Sequence, residues 1–163
     1  MNVSPLATVY ITSHNYGAYI TRAIESVLAQ TLRDFELIII DDGSTDDSRD
    51  IIATYTHRSE VTVILQENRG LNVTNNIALR AAHGKYLMRL DADDWLDENA
   101  LSIMVGILER NPGLGLVFPD YYMVDEAGTV TDMVRRHDFR EVTLLDQPAH
   151  GACTMIRRQC LLD

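Results

Sequence analysis

Apolar, β-branched runs alternate along the chain with stretches in which apolar residues recur every three or four positions. The first run, LATVYIT (6–12), predicts a buried strand. In the YITRAIESVLAQT that follows, Ile20, Ile24, Val27 and Leu28 fall on one helical face. FELIIID (35–41) predicts a second strand, and Ser44, Thr45 or Asp46 then caps a helix carrying Ile51, Ile52 and Tyr55. VTVILQ (61–66) predicts a third strand, followed by a helix through Ile77, Ala78 and Ala81 that stops at Gly84. KYLMRLD (85–91) predicts a fourth strand, 99–110 a fourth helix stopped by NPG, and LGLVFPDYY (114–122) a fifth strand. VDEAGTV (124–130) predicts a turn at Gly128 between two short antiparallel strands, and beyond it the pattern weakens. Strand–helix alternation of this kind predicts an α/β fold, a mostly parallel sheet with helices on both faces.

The polar clusters fall at one kind of place. TSHN follows the first strand, DDGSTDDS the second, ENRG the third and DADD the fourth. All four lie at carboxyl ends of strands, the edge where open parallel sheets bind ligands, so the pattern predicts one site.

Charge sharpens this picture. The 163 residues carry a formal charge of −10, which argues against a nucleic-acid backbone or an anionic membrane as main partner. Asp41, Asp42, Asp46, Asp47 and Asp50 form one acidic cluster, and Asp91, Asp93, Asp94, Asp97 and Glu98 another. Length and the 46% apolar fraction fit a single globular domain over residues 1–163. Cys153 and Cys160 match no zinc or redox spacing and are expected to be reduced. MNVSPLATVYITSHN lacks the basic leader of a signal peptide, and runs such as LIII are too short to span a membrane. A cytoplasmic domain is expected, with attachment to the inner membrane face left open.

The DADDW stretch carries the sharpest chemical signal. Asp97 and Glu98 are explained by a helix start, where carboxylates cap and favour the dipole. Asp91 and Asp93, closing a buried strand, are better explained by a hard divalent cation, Mn²⁺ or Mg²⁺, bridging to a diphosphate. DDGSTDDS is equally at home in an ordinary strand–helix turn, although a carboxylate there could accept a ring N–H from uracil, thymine or guanine. TSHNYGAY offers Asn15 and Gly17 for a tight turn in a loop that could line the base or ribose, with Asn15 expected at the donor and His14 read as a surface or packing residue rather than a metal ligand. ENRG offers Arg69 either to phosphate or to solvent. No loop carries a dinucleotide-binding or P-loop glycine pattern.

Taken together, VYITSHNYGAYITRAIESVLAQTLRDFELIIIDDGSTDDS, ENRG and AAHGKYLMRLDADDW resemble the family 2 glycosyltransferases of the GT-A fold. The resemblance is strong from Thr8 to Trp95 and looser to HGACTMIRR. It implies a nucleotide-diphosphate sugar donor, a UDP-sugar first, and a divalent metal. It also implies inverting transfer to a carbohydrate or lipid-linked acceptor, as in surface polysaccharide synthesis. By position it puts Thr12 at the base pocket, Asp42 facing the base with Asp41 beside it, and Asp93 near the ribose or metal. Asp93 or Asp94 would ligate the metal, while Asp91 opens the D-x-D pattern; which of the three is the direct ligand is left open. Two departures stand out. Asn75 occupies the place where relatives carry Arg, and no acceptor-side base is identifiable among Asp120, Asp138, Asp146 and His150. The chain is accordingly expected to hold the donor-binding half. Pro148, His150 and Gly151 are expected in a loop near the sugar.

Rival readings fare less well. A sugar nucleotidyltransferase should carry a basic, glycine-rich loop after strand one, and TSHNYGAY has one Gly and no Lys or Arg. A receiver-like signalling domain needs its acidic pair after strand one, not strand two. A nucleotide-binding module without catalytic activity is the remaining alternative.

Overall fold

The computed structural model describes residues 4–135 and 152–162. In chain order its elements are β1 (Ala7–Ser13), α1 (Gly17–Leu28), β2 (Phe35–Asp42), α2 (Ser48–Ala53), β3 (Val61–Gln66), α3 (Leu71–Ala81), β4 (Tyr86–Asp91) and α4 (Ala100–Arg110). Then come β5 (Leu116–Val117), β6 (Tyr121–Val124), β7 (Val130–Val134), β8 (Met155–Arg157) and a 3-10 turn over Arg158–Leu161. Six strands form one sheet in the order β3-β2-β1-β4-β8-β5. β1 to β4 are mutually parallel, and β8 runs antiparallel between β4 and β5.

Alternation along the strands builds the layers. Ala7, Val9 and Ile11 of β1, Leu37 and Ile39 of β2, and Met88 and Leu90 of β4 point to one face. There they pack with Ile20, Ile24 and Val27 of α1, Ile52 of α2, and Leu101, Met104 and Leu108 of α4. Tyr10, Ile38, Ile40 and Leu87 point to the other face, against Ala78 and Ala82 at the end of α3. Burying each such aliphatic side chain is worth about 1.5–3 kcal/mol, so the apolar runs of β1, β2 and β4 hold the sheet between its helices.

Three elements differ from expectation. The fifth strand stops at Val117, and Tyr121–Val124 joins β7 in a separate two-stranded ribbon. Pro119, which has no amide hydrogen to donate, sits at the break. Gly84 does not stop α3, because the helix ends at Ala81 with Ala82 already extended. Gly84 is instead where the chain passes tightly over β1: a Cβ there would come within 2.6 Å of Thr8 Oγ1. The third difference is α2, whose N-cap is Asp47 and whose first amide, Ser48 N, is met by Asp46 Oδ1 at 3.0 Å. Gly128 takes φ 81° at the expected ribbon turn. Asp138, Asp146, Pro148, His150 and Gly151 lie outside the described residues.

Candidate functional site

At the carboxyl edge of β1, β2 and β4, a cavity of about 320 Å³ opens between these strands and the start of α3. Thr12, Asp42 and Asp91 line it. Their grouping follows from register and pleat. Thr12 lies opposite Asp91 across the β1–β4 pair, and one step further Ser13 lies opposite Asp41 across β1–β2. Thr12, Asp42 and Asp91 belong to the α3 side, whereas Asp41 belongs to the other. Asp93, His14, Tyr16, Leu71 and Thr74 complete most of the wall.

Asp42 anchors the floor and is almost fully buried. Its Oδ1 accepts Gln66 Nε2 at 2.6 Å and the Arg69 amide at 2.8 Å, and its Oδ2 accepts the Gly70 amide at 2.9 Å. Burial pushes its pKa up, but these hydrogen bonds outweigh burial and hold the carboxyl below its ordinary range. A carboxylate has about four acceptor positions. Three are taken, which leaves one, on Oδ2.

Asp41, expected beside the base, faces away from the cavity because neighbouring strand residues point to opposite faces. It is fully buried, with Oδ1 2.7 Å from Arg49 Nε and accepting the Ser44 amide at 3.1 Å. Asn15, also expected at the donor, fastens the loop. At φ 62° its Oδ1 accepts Thr45 N at 2.7 Å, and its own amide donates to Ser44 Oγ at 2.9 Å. Tyr16 N donates to Ser48 Oγ, and Gly17 N to Asp46 Oδ2, which satisfies the exposed start of α1. DDGSTDDS thus serves mainly to pin the loop after β1, and only Asp42 of its acidic residues reaches the cavity lining. Arg69, expected at the donor phosphate, does not line this cavity; its backbone amide donates to Asp42 Oδ1 beneath it. Asn75, at the position where relatives carry Arg, accepts a hydrogen bond from Tyr10 Oη at 3.2 Å and lies beside a second hollow, not this cavity.

His14, expected to be a surface or packing residue, is exposed as expected, and it also lines the cavity, with Nδ1 2.8 Å from the Asp42 carbonyl, a contact not singled out from the sequence. Its only signal in sequence was its place two residues after Thr12. The buried Gln30 was also missed. Its Nε2 donates to the carbonyls of Ser26 and Asp97, and its Oε1 accepts the Leu101 amide, which ties α1 to the segment behind DADDW.

The acidic edge sets the field at the cavity mouth. The Tyr16 hydroxyl has a raised pKa, chiefly from the charge of Asp93, then burial, then Asp91 and Asp94. Asp93 and Asp94 are exposed, and Asp94 lies outside the cavity lining. Among the described residues no three His, Cys, Asp or Glu side chains converge to hold a metal unaided. One or two carboxylates at an open cavity nevertheless suit Mn²⁺ or Mg²⁺, which take their remaining ligands from water and phosphate. Asp91 and Asp93 are the donors such an ion would meet. No helix among the described residues is long and apolar enough to cross a membrane.

Over residues 8–162 the chain matches the family model of Glycosyl transferase family 2. Chondroitin synthase of Escherichia coli is 35% identical over 127 residues, a stretch that is 77% of this chain and 18% of that protein. Residues 1–349 of S. aureus TarS, in complex with UDP-GlcNAc, superpose with a TM-score of 0.79 at 22% identity, over 96% of this chain and 46% of that 1–349 stretch. The mannosyltransferase PcManGT from Pyrobaculum calidifontis, in complex with GDP-Man and Mn²⁺, gives 0.73 at 22% identity, over 99% of this chain and 47% of its own. Both structural likenesses show the same mixed α/β architecture. The chain spans less than half the length of each of these proteins.

Proposed function

The chain belongs to glycosyl transferase family 2, and from that premise we propose that it binds a nucleoside-diphosphate sugar and transfers the sugar to an acceptor hydroxyl. The observation that carries the proposal is the convergence of Thr12, Asp42 and Asp91 from three adjacent strands on one cavity, with Asp93 at its mouth.

In this reading the one open acceptor position of Asp42 takes the ring N–H of the base. Uracil and guanine each offer such a donor, and these are the bases of the donors held by TarS and PcManGT. A UDP-sugar is the first candidate. The diphosphate sits toward Asp91 and Asp93, where a bound cation would offset the crowded negative charge. That cation, Mn²⁺ or Mg²⁺, supplies neutralisation of the charge developing on the departing diphosphate. The acceptor oxygen attacks the anomeric carbon opposite the nucleotide, so the bond to the diphosphate breaks as the new glycosidic bond forms. A carboxylate takes the hydroxyl proton and configuration inverts. We place this reaction in the cytoplasm, with a carbohydrate or lipid-linked acceptor of surface polysaccharide synthesis.

The test is thermal denaturation with UDP, dTDP, GDP, CDP and ADP, each with Mn²⁺ or with chelator. A nucleotide at 100 times its Kd adds about 2.7 kcal/mol, a readily measured shift in Tm. Stabilisation by one of the first three, greater with metal, is expected. No response to any of them would overturn the donor reading.

A further inference from the structure

A guanidinium stands behind the acidic edge, unused by anything described so far. Arg89 lies in β4 at the centre of the sheet, opposite Tyr10 of β1 on one side and bridged to Ala152 on the other. Its carbonyl accepts the Cys153 amide at 2.7 Å, so its backbone is held from both flanks. Its side chain is only 15% exposed. A cation in the middle of a covered sheet is costly unless paired. The partner is Asp91: Nη2 donates to Oδ2 at 3.3 Å, while Nε lies 2.9 Å from Oδ1 but off the angle of a hydrogen bond. The pair forms a partition. Asp91 lines the large cavity, and Arg89 lines a second hollow of about 260 Å³ on the same face, beside Tyr10, Asn75 and Thr154.

We propose that Arg89 is a positioning residue for the donor site, holding the Asp91 carboxylate in the cavity wall and offsetting its charge where the diphosphate must lie. The inference rests on the donor reading above. Without Arg89, Asp91 turns freely and presents a full negative charge. Metal-free nucleotide is then repelled, whereas in the presence of metal the loosened carboxylate becomes an added attraction for the cation. Arg89 therefore governs how strongly nucleotide binding depends on metal. A purely structural ion pair would change stability and leave that dependence alone.

The measurement is the Kd of UDP and of GDP by calorimetry, in chelator and in Mn²⁺, expressed as the ratio of the two. In Arg89→Gln this ratio is expected to rise about tenfold, a coupling of ordinary size, and in Arg89→Lys to stay within about threefold of wild type. Asp91→Asn and the double variant Arg89→Gln/Asp91→Asn should share one ratio within about twofold, since Arg89 acts through Asp91. The double variant leaves no buried unpaired charge, and in Asp91→Asn the amide oxygen still accepts a hydrogen bond from the Arg89 guanidinium, so this comparison holds even if Arg89→Gln alone fails to fold. An unchanged ratio in Arg89→Gln, or a different ratio between the two Asn variants, would overturn the role of Arg89. A wild-type protein that binds neither nucleotide would overturn the donor reading itself.

Discussion

Asp41 and Asp42, neighbours in sequence, end β2 with their carboxylates on opposite faces of the sheet. One is sealed against Arg49 at 2.7 Å, and the other opens on the cavity while gripping the amides of Arg69 and Gly70. The two should separate cleanly by mutation. Asp41→Asn weakens the Arg49 pair and lowers stability by about 1–3 kcal/mol, with nucleotide affinity largely kept. Asp42→Asn turns an amide N–H toward a backbone donor, costs a similar amount, and also abolishes nucleotide binding. Denaturant melts paired with calorimetry distinguish these outcomes.

Asp93 raises the pKa of Tyr16 more than any other group does. Replacing it by Asn removes an anion that disfavours the phenolate, so the Tyr16 pKa should fall toward its ordinary 10.0. The same variant should lose metal-dependent stabilisation by nucleotide while the unliganded Tm holds. Ultraviolet titration and thermal melts read the two effects. A Tyr16 titration that does not move would show that Asp93 does not face it.

Gly84→Ala tests the close passage of the chain over β1. The new Cβ would meet Thr8 Oγ1 at 2.6 Å and the Ala7 carbonyl carbon at 2.7 Å. Backbone must shift, at about 2–4 kcal/mol, or several degrees in Tm for a domain of this size. A change of under one degree would mean that the contact is absent.

Gln30→Leu keeps the volume and removes three hydrogen bonds, taking away the one to the Leu101 amide and leaving the Asp97 carbonyl with only the Ala100 amide at 3.0 Å. A loss of about 3 kcal/mol is expected. Because Gln30 braces the segment behind DADDW, nucleotide affinity should fall as well. A stable variant with unaltered affinity would separate the brace from the site.

Glu36 links β2 to the start of β4. It accepts from Thr8 Oγ1 and from the amides of His83 and Gly84. Burial pushes its pKa up, but these hydrogen bonds win and hold it below its ordinary 4.5. The folded state therefore releases this proton more readily than the unfolded chain. Its stabilisation is complete above pH 4.5 and is lost as pH falls through the lower folded value. Stability measured against pH should show this acid slope, and Glu36→Gln should reduce it.

The sequence alone determined the α/β class, the order of the first four strands and helices, and the gathering of polar loops on one edge. Those features rest on local periodicity, because apolar positions repeat at the spacing of the element that buries them. Asp91 and Asp93 stood out because they close a buried strand, whereas Thr12 and the choice of Asp42 came from the family resemblance; all four line the cavity. What only the tertiary structure decided is which way each polar group turns, and with whom it pairs. The pleat sent Asp41 away from the cavity and Asp42 into it. Contacts between distant loops assigned Asn15 and Asp46 to fastening rather than binding. The register of β4 put Arg89 behind Asp91. Such assignments depend on partners far apart in the chain, as Gln30 is from Asp97, and no local spacing encodes them.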